Sequence, residues 1–457
     1  MSVTSSNAIA TDLRELSSHA SVGRGMRAAF RCCAAALVIA TFIMPLSESW
    51  KRSTSHSFDA DQNEMEDSVR DGTFARQVTV AAIGLCGLIG IALPGEKTVR
   101  LNSIAVFMFA AFVAWCAASF MWSDDPKLTL KRWIALMCLV AVSVAIAKQF
   151  SLLQFVWLLI ICTTSWLALG TAAEMSLGRF RPWESGYRFA GVFHPNEMGA
   201  NCAILLISSL YLSRAAIDPR KRNVLLLVAV IGAVFLLFTS SRTAVATVLA
   251  AMALWSVMGP LKKVVMTLIG AATAAGLMCM LLAFSLFADA SGIVAMGRDD
   301  DGMSTLTGRV PLWEELLEVH AERQPLFGYG FGAFWTPDRI FAISDSQGWA
   351  ISSTHSTYID LLLTVGYVGL VLCISALVFA LVRFWWLEVM HPTSGYGLLA
   401  MLVVLLLGGG FLETTISSLS FNCLFCVSGL SFLLFNPDDN ILGSDSLFWI
   451  AGSANRS

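Results

Sequence analysis

Across 457 residues the chain is 56% apolar and only 14% charged, with a formal net charge of -2 and a mean hydropathy of +0.70. Soluble domains carry about 25% charged residues, and a soluble fold cannot hide this much apolar surface. The composition predicts a polytopic membrane protein and offers no basic footprint for nucleic acid. The eleven cysteines all fall in apolar runs, so they read as small packing residues and not as a disulfide framework. Cys423 and Cys426 have CxxC spacing, but no second ligand pair accompanies them.

Residues 1–27 are polar and lack the short apolar run and cleavage site of a signal peptide, which predicts a cytoplasmic tail before a retained first span. Apolar runs then follow at 28–46, 77–94, 101–122, 131–148, 151–170, 199–214, 224–239, 243–259, 264–288, 356–382, 396–412 and 419–435. Each suits a bilayer core of about 30 Å. The fold class expected is therefore an all-α polytopic membrane protein of about twelve transmembrane helices. The stretch 224–259 is too long for one crossing, and Thr239-Ser240-Ser241-Arg242-Thr243 is predicted to turn it into a hairpin.

Short loops set the orientation. Arg24, Arg27 and Arg31, then Lys97 and Arg100, Lys148, Arg214 to Arg222, Lys262 and Lys263, and Arg383 all fall on one side, which the positive-inside rule makes cytoplasmic. Both termini, including the tail 436–457, are then inside. The long loops 47–76, 171–198 and 289–355 are extracytoplasmic, the last being the largest. Trp313, Phe327, Tyr329, Phe331, Phe334 and Trp335 make that loop aromatic, which suits sugar stacking or an interfacial position.

Few charges lie within the spans, Asp360 being the clearest, which argues against an ion-coupled transporter. Arginine gathers instead on the outer side: Arg188, Arg242 and Arg309, with Arg179, Arg181, Arg298, Arg323 and Arg339 near in sequence. Its planar fork binds phosphate bidentately. Arg242, held in a short hairpin, suits either a phosphate ligand or a side chain reaching lipid headgroups. His355 opens a span and can take a hydroxyl proton at neutral pH, or simply cap the helix. Asp360 lies about 140° around that helix and is a poor orienting partner for His355, whereas Tyr358 shares its face better. Gly328-Tyr329-Gly330-Phe331-Gly332 imitates a nucleotide loop but follows no strand, so it reads as a turn-rich segment. Asp299-Asp300-Asp301-Gly302 lacks the alternating spacing of a calcium loop and reads as a solvated acidic turn. No convincing metal-ligand set appears.

His355-Ser356, nine residues, then Gly366-Tyr367-Val368-Gly369 resembles the H-[NSQ]-x9-G-x-x-G signature of the O-antigen ligase family. Arg188-Phe189-Ala190-Gly191-Val192-Phe193-His194-Pro195-Asn196-Glu197-Met198-Gly199 resembles an R-x-x-G-x-F-x-x-x-N-x-x-G stretch of the same superfamily. Trp122 to Pro126, Ser241-Arg242-Thr243, Gly308-Arg309 with Leu312-Trp313, and Pro325 to Gly330 follow the order that family shows. The resemblance covers roughly residues 75–435, and the F-H-P-N-E-M-G wording is closer to exopolysaccharide polymerases of the ExoQ type.

The resemblance implies a GT-C-like membrane glycosyltransferase, inverting and independent of metal or other cofactor, occupying 28–435 in the bacterial inner membrane. Its donor would be a polyprenyl-diphosphate-linked glycan and its acceptor a glycan or lipid, with the bilayer and other polysaccharide-assembly proteins as partners. Polymerisation of O-antigen or exopolysaccharide repeat units is the first expectation. Ligation of glycan to lipid A core is the alternative, and a polysaccharide transporter or flippase is the rival of another class. His355 would be the catalytic base; Arg188, Arg242 and Arg309 would hold the donor diphosphate; Asn196 and Tyr358 would support them.

Overall fold

The computed structural model describes residues 25–34, 74–97, 102–258, 309–414 and 421–437, with gaps at 27, 96, 185, 192–193, 350, 352, 393 and 436. The described elements are almost wholly helical: α1 (Phe74–Ala92), α2 (Ser103–Ala118), α3 (Pro126–Gln149), α4 (Leu152–Ser176), α5 (Pro195–Ala215), α6 (Pro219–Phe238), α7 (Arg242–Met258), α8 (Arg309–Glu315), α9 (Pro337–Gln347), α10 (Thr357–Met390), α11 (Tyr396–Gly409) and α12 (Phe421–Ser431). Among the described residues six helices are long and apolar enough to cross a membrane: Ser103–Met121, Pro126–Gln149, Leu152–Ser176, Pro195–Ala215, Pro219–Phe238 and Thr357–Met390. Shorter apolar helices at Gln77–Ala92, Arg242–Ser256, Tyr396–Gly409 and Cys423–Leu434 coincide with further predicted spans. The chain is a multi-pass helical membrane protein. Most of the predicted span 28–46, the span 264–288, most of the loop 47–76, Arg298, the acidic run Asp299 to Asp301, and nearly all of both tails lie outside the described residues.

Helix ends differ from the hydropathy pattern where polar residues find partners. Asp125 caps α3, accepting from Leu128 N at 3.0 Å, and Pro126 fits the first turn, so the helix starts ahead of 131. His194 caps α5 before Pro195 in the same way. α10 runs past 382 because Arg383 lies over the Trp386 ring at 4.5 Å and Glu388 is bonded inside the bundle. The hairpin is confirmed: α6 ends at Phe238, Ser240 takes a positive φ of 49°, and α7 begins at Arg242.

α11 is the centre of the bundle, lying between α10 and α7 and buried along nearly its whole length. A helix apolar on every face can only sit there or against lipid. The peripheral helices α1, α2 and α6 leave Leu85, Leu88, Phe107, Leu227 and Val230 exposed, as acyl chains require.

α10 is too long to cross as one straight rod, since 34 residues would span about 51 Å. It breaks at Gly366, whose φ of 68° and ψ of -175° leave the helical region. The freed carbonyls are taken up: Leu363 O by Tyr329 N at 2.8 Å, Thr364 O by Gly330 N at 2.9 Å, and Val365 O by Trp115 Nε1 at 2.9 Å. Tyr367 N donates in return to Pro325 O at 2.8 Å. A Cβ on Gly366 would lie 2.2 Å from Leu326 O, so only glycine fits. The Gly366–Gly369 and Pro325–Gly330 motifs are thus two halves of one joint.

In the loop following α8 Phe327 stays exposed, but most of the aromatic surface expected there is buried. Tyr329, Phe334 and Trp335 are buried with Leu312, Leu316, Ile340 and Ile351 in a second small core against the first turns of α10, and Phe331 is buried in the main one. Burial removes them as sugar-stacking faces. The glycine-rich run is a turn, as expected, with positive φ at Gly328, Gly330 and Gly332.

Candidate functional site

The site lies at the bundle end where α5, α7 and α10 begin and α11 finishes. His355 lies two residues before α10 with φ of 51°, a left-handed conformation unusual for a residue with a side chain. Its neighbours impose it. Trp313 Nε1 donates to Thr354 O at 2.8 Å, and Ser356 N to Thr354 Oγ1 at 3.1 Å. Thr357 N donates to Gly410 O at 2.7 Å and Thr357 Oγ1 to Glu413 O at 2.8 Å, which ties the start of α10 to the end of α11. The N-cap position belongs to Ser356, so His355 is not the helix cap. Its ring stacks beside Trp349, centroids 6.1 Å apart.

Burial holds the His355 pKa down to about 4, helped by Arg309 and His194 and opposed by Glu413. The imidazole is therefore neutral at physiological pH, with a lone pair available.

Arg188, Asn196 and Arg309 come together around Glu413. Arg188 donates through NH2 to Asn196 Oδ1 at 3.1 Å and through Nε to Thr239 O at 3.3 Å. Asn196 Nδ2 donates to Glu413 Oε1 at 2.5 Å. Arg309, the first residue of α8, donates to Leu412 O at 2.5 Å and reaches Glu413 Oε1 at 3.4 Å. One carboxylate oxygen thus faces both an amide and a guanidinium, and the chain continues to a second guanidinium. Gly199 permits this convergence of α5 and α7: a Cβ there would lie 2.9 Å from Ser241 Cβ.

Beneath the network a cavity of about 120 Å³ opens between α5, α7 and α11. Asn196, Glu197, Ser241, Thr243 and Glu413 form its polar side, while Ala203, Ile204, Leu402 and Leu405 line its apolar depth. Arg242 stands at the first position of α7 between two of the cavity-lining residues.

Other sequence-selected residues go elsewhere. Tyr358 donates to Leu407 O at 2.6 Å and packs on Phe411, so it is engaged with α11 and not oriented toward His355. Asp360 is buried with Trp335 Nε1 3.4 Å from Oδ1. Arg339 pairs with Asp124 and covers the rings of Tyr329 and Phe334; Arg181 pairs with Glu184 on the exposed loop. These arginines serve local structure. Among the described residues no group of three or more His, Cys, Asp or Glu side chains is gathered as a metal cage.

Sequence reasoning missed Glu413. A signal existed, because it is the only Asp, Glu, Lys or Arg between 391 and 437. A further residue it missed is Glu174, buried in the last turn of α4, whose carboxylate takes three hydrogen bonds from the segment around Arg188.

The fold and site define a multi-pass membrane protein with a cationic, carboxylate-centred cluster at one end of its bundle. A family model described as O-antigen ligase matches residues 227–374, a segment that holds Arg242, Arg309, His355 and the Gly366 joint. The chain is also 24% identical over 343 residues to the exopolysaccharide production protein ExoQ of Rhizobium meliloti (strain 1021), covering 67% of this chain and 72% of that protein. Together these matches support an O-antigen ligase/polymerase-type protein set in a membrane.

Proposed function

We propose that the protein is an inverting, metal-independent glycosyltransferase with a GT-C-like fold that takes glycan from a polyprenyl-diphosphate carrier and adds it to a growing polysaccharide. The observation that carries this reading is the arginine–asparagine–glutamate network over an apolar-walled cavity, beside a neutral histidine. A leaving diphosphate develops negative charge, and fixed guanidinium groups can stabilise it without a divalent cation. Arg188 and Arg309 are the donors best placed for that, with Arg242 at the cavity edge. Asn196 bridges the two sides and Glu413 keeps their geometry before the donor arrives. His355, neutral and free to accept a proton, removes it from the acceptor hydroxyl as that oxygen attacks the anomeric carbon from the face opposite the diphosphate. The carrier's first isoprene units suit the apolar depth of the cavity.

Polymerisation of exopolysaccharide repeat units is favoured over ligation to a lipid acceptor because the similarity to ExoQ covers most of both chains. Deleting the gene and sizing the glycan tests this: single-repeat products support a polymerase, whereas full chains stranded on the carrier support a ligase. Purified protein is expected to keep turnover in excess EDTA; loss restored by magnesium or manganese would overturn the metal-free mechanism. The proposed setting is the bacterial inner membrane, with one membrane domain over 28–435 between cytoplasmic tails 1–27 and 436–457. Reporter fusions at Lys221 and Lys262 should then read cytoplasmic and one at Ser346 extracytoplasmic; a cytoplasmic signal at Ser346 would put the arginines in the wrong compartment.

A further inference from the structure

The segment carrying Arg188 is clasped by one buried side chain. Glu174, 5% exposed, accepts from Tyr187 Oη at 2.5 Å on one carboxylate oxygen. On the other it accepts from Ala190 N at 2.9 Å and Gly191 N at 2.7 Å. Its own backbone carbonyl takes Arg179 N at 2.8 Å and Phe180 N at 3.2 Å. The single residue therefore holds both ends of the connection from 177 to 191. The carboxylate contacts bracket Arg188, with Tyr187 on one side and Ala190 and Gly191 on the other. Between them Phe189 is fully buried; its N–H donates to Phe238 O at 2.8 Å and its ring meets Phe235 at 4.9 Å. With the flanking residues held on both sides, the Arg188 guanidinium has a defined direction, toward Thr239 O and Asn196 Oδ1.

We infer that Glu174 is a positioning residue for Arg188: its carboxylate fixes the 187–191 turn so that the guanidinium is already aimed when an anionic donor binds. This rests on the reading of Arg188 as a diphosphate ligand. The physical basis is pre-organisation. A long arginine side chain on a loose turn must be ordered at the moment of binding, and a clasped one has that loss behind it. A carboxylate suits the task because it only accepts, and three donors from one short segment converge on its two oxygens.

A double-mutant cycle on the full-length protein in detergent separates this from a purely structural role, with farnesyl diphosphate as the probe and its Kd as the readout. Arg188→Ala is expected to weaken binding about tenfold or more, as loss of a charged hydrogen-bonding partner does. Glu174→Gln is expected to weaken it about fivefold in the native background and less than about twofold in Arg188→Ala, because there is then no guanidinium left to aim. Equal weakening in both backgrounds would overturn the positioning role while leaving Arg188 as a ligand. Unchanged binding in Arg188→Ala would remove the reading beneath it, and the positioning role with it. Should Glu174→Gln fail to fold, Tyr187→Phe removes one hydroxyl and no charge and carries the same cycle. It is expected to weaken binding about two- to threefold in the native background alone, and additivity there would overturn the inference equally.

Discussion

The two ends of the bundle use similar residues to opposite purpose. At the end where α1 and α3 finish, Lys97 Nζ donates to Ala147 O and Phe150 O at 2.5 Å, Lys148 Nζ to Ile91 O and Leu93 O at 2.6 and 2.9 Å, and Arg31 Nε to Gln149 O at 3.0 Å. These cations neutralise the carbonyl ends of helices, which carry partial negative charge. Buried Glu388 at that end accepts from Tyr211 Oη and from Gly397 N at 2.7 Å, joining α5, α10 and the start of α11. At the site end Arg188 and Arg309 converge instead on Asn196 and Glu413 at the mouth of a cavity. Cations bonded to helix-end carbonyls are structural; Arg188 and Arg309 also bond Thr239 O and Leu412 O, but each has a side-chain partner beside a cavity, where a ligand can compete for it.

The largest expected effect is at His355. Replacing it with Ala or Gln should lower turnover about 10²–10⁴-fold, as removal of a general base does, while farnesyl diphosphate still binds. Near-normal turnover in both variants would break the assignment, and a parallel fall in binding would make the ring a ligand instead. Next come the arginines. Arg242→Lys and Arg309→Lys keep charge but lose the fork, and each should reduce kcat/KM about 10- to 100-fold if diphosphate is bound bidentately. Full activity in Arg242→Lys would show that this side chain serves lipid headgroups.

Paired carboxylate variants test the contrast itself. Glu413→Gln should lower kcat/KM about tenfold with little change in melting temperature, because Gln still accepts from Asn196 but no longer balances Arg309. Glu388→Leu should do the reverse, costing about 1–3 kcal/mol of stability by leaving buried donors unmatched, with kcat/KM per folded molecule unchanged. The opposite pattern would erase the distinction between the two ends.

The pH dependence sharpens it further. With the His355 pKa held near 4, kcat/KM should stay flat from pH 8 to about 5 and fall with a midpoint about 4. A bound diphosphate would raise that value, so the limb in kcat should lie higher. A kcat/KM midpoint at 6.5 would show an ordinary solvated ring. The same depression means that stability is lost as pH drops from 6.5 toward about 4, because the unfolded chain takes the proton first. The smallest effect is expected for Lys97→Met, which should cost less than about 1 kcal/mol of stability and leave turnover unchanged.

Much of the architecture was legible because a bilayer demands long apolar segments and helix ends have chemical punctuation. The hairpin before Arg242 and the helix opening near Thr357 follow from local residue chemistry, whereas caps at Asp125 and Asp218 start α3 and α6 ahead of the apolar runs at 131 and 224. Helix lengths were misjudged where polar residues are partnered by distant ones: Glu174 by the 187–191 turn and Glu388 by Tyr211. A hydropathy pattern stops at such a residue because it has no knowledge of the partner.

The site divides along the same line. His355, Arg188 and Arg309 could be selected from the sequence by what imidazole and guanidinium groups do, and Asn196 by the resemblance of the Arg188–Gly199 stretch. Which arginines share a partner could not be read: Arg339 is as outer and as cationic as Arg309, yet it is spent on Asp124 and two aromatic rings. The sequence alone determined that the chain is an apolar helical bundle with arginines gathered near one side, since composition and span length depend only on local transfer energies. The tertiary structure decided that α10 breaks at Gly366, that Tyr329, Phe331, Phe334 and Trp335 are buried, and that Glu413 lies within reach of Asn196 and Arg309. Those outcomes depend on groups up to 250 positions apart meeting in space, and hydrogen bonding and burial act on such distances while the sequence pattern does not.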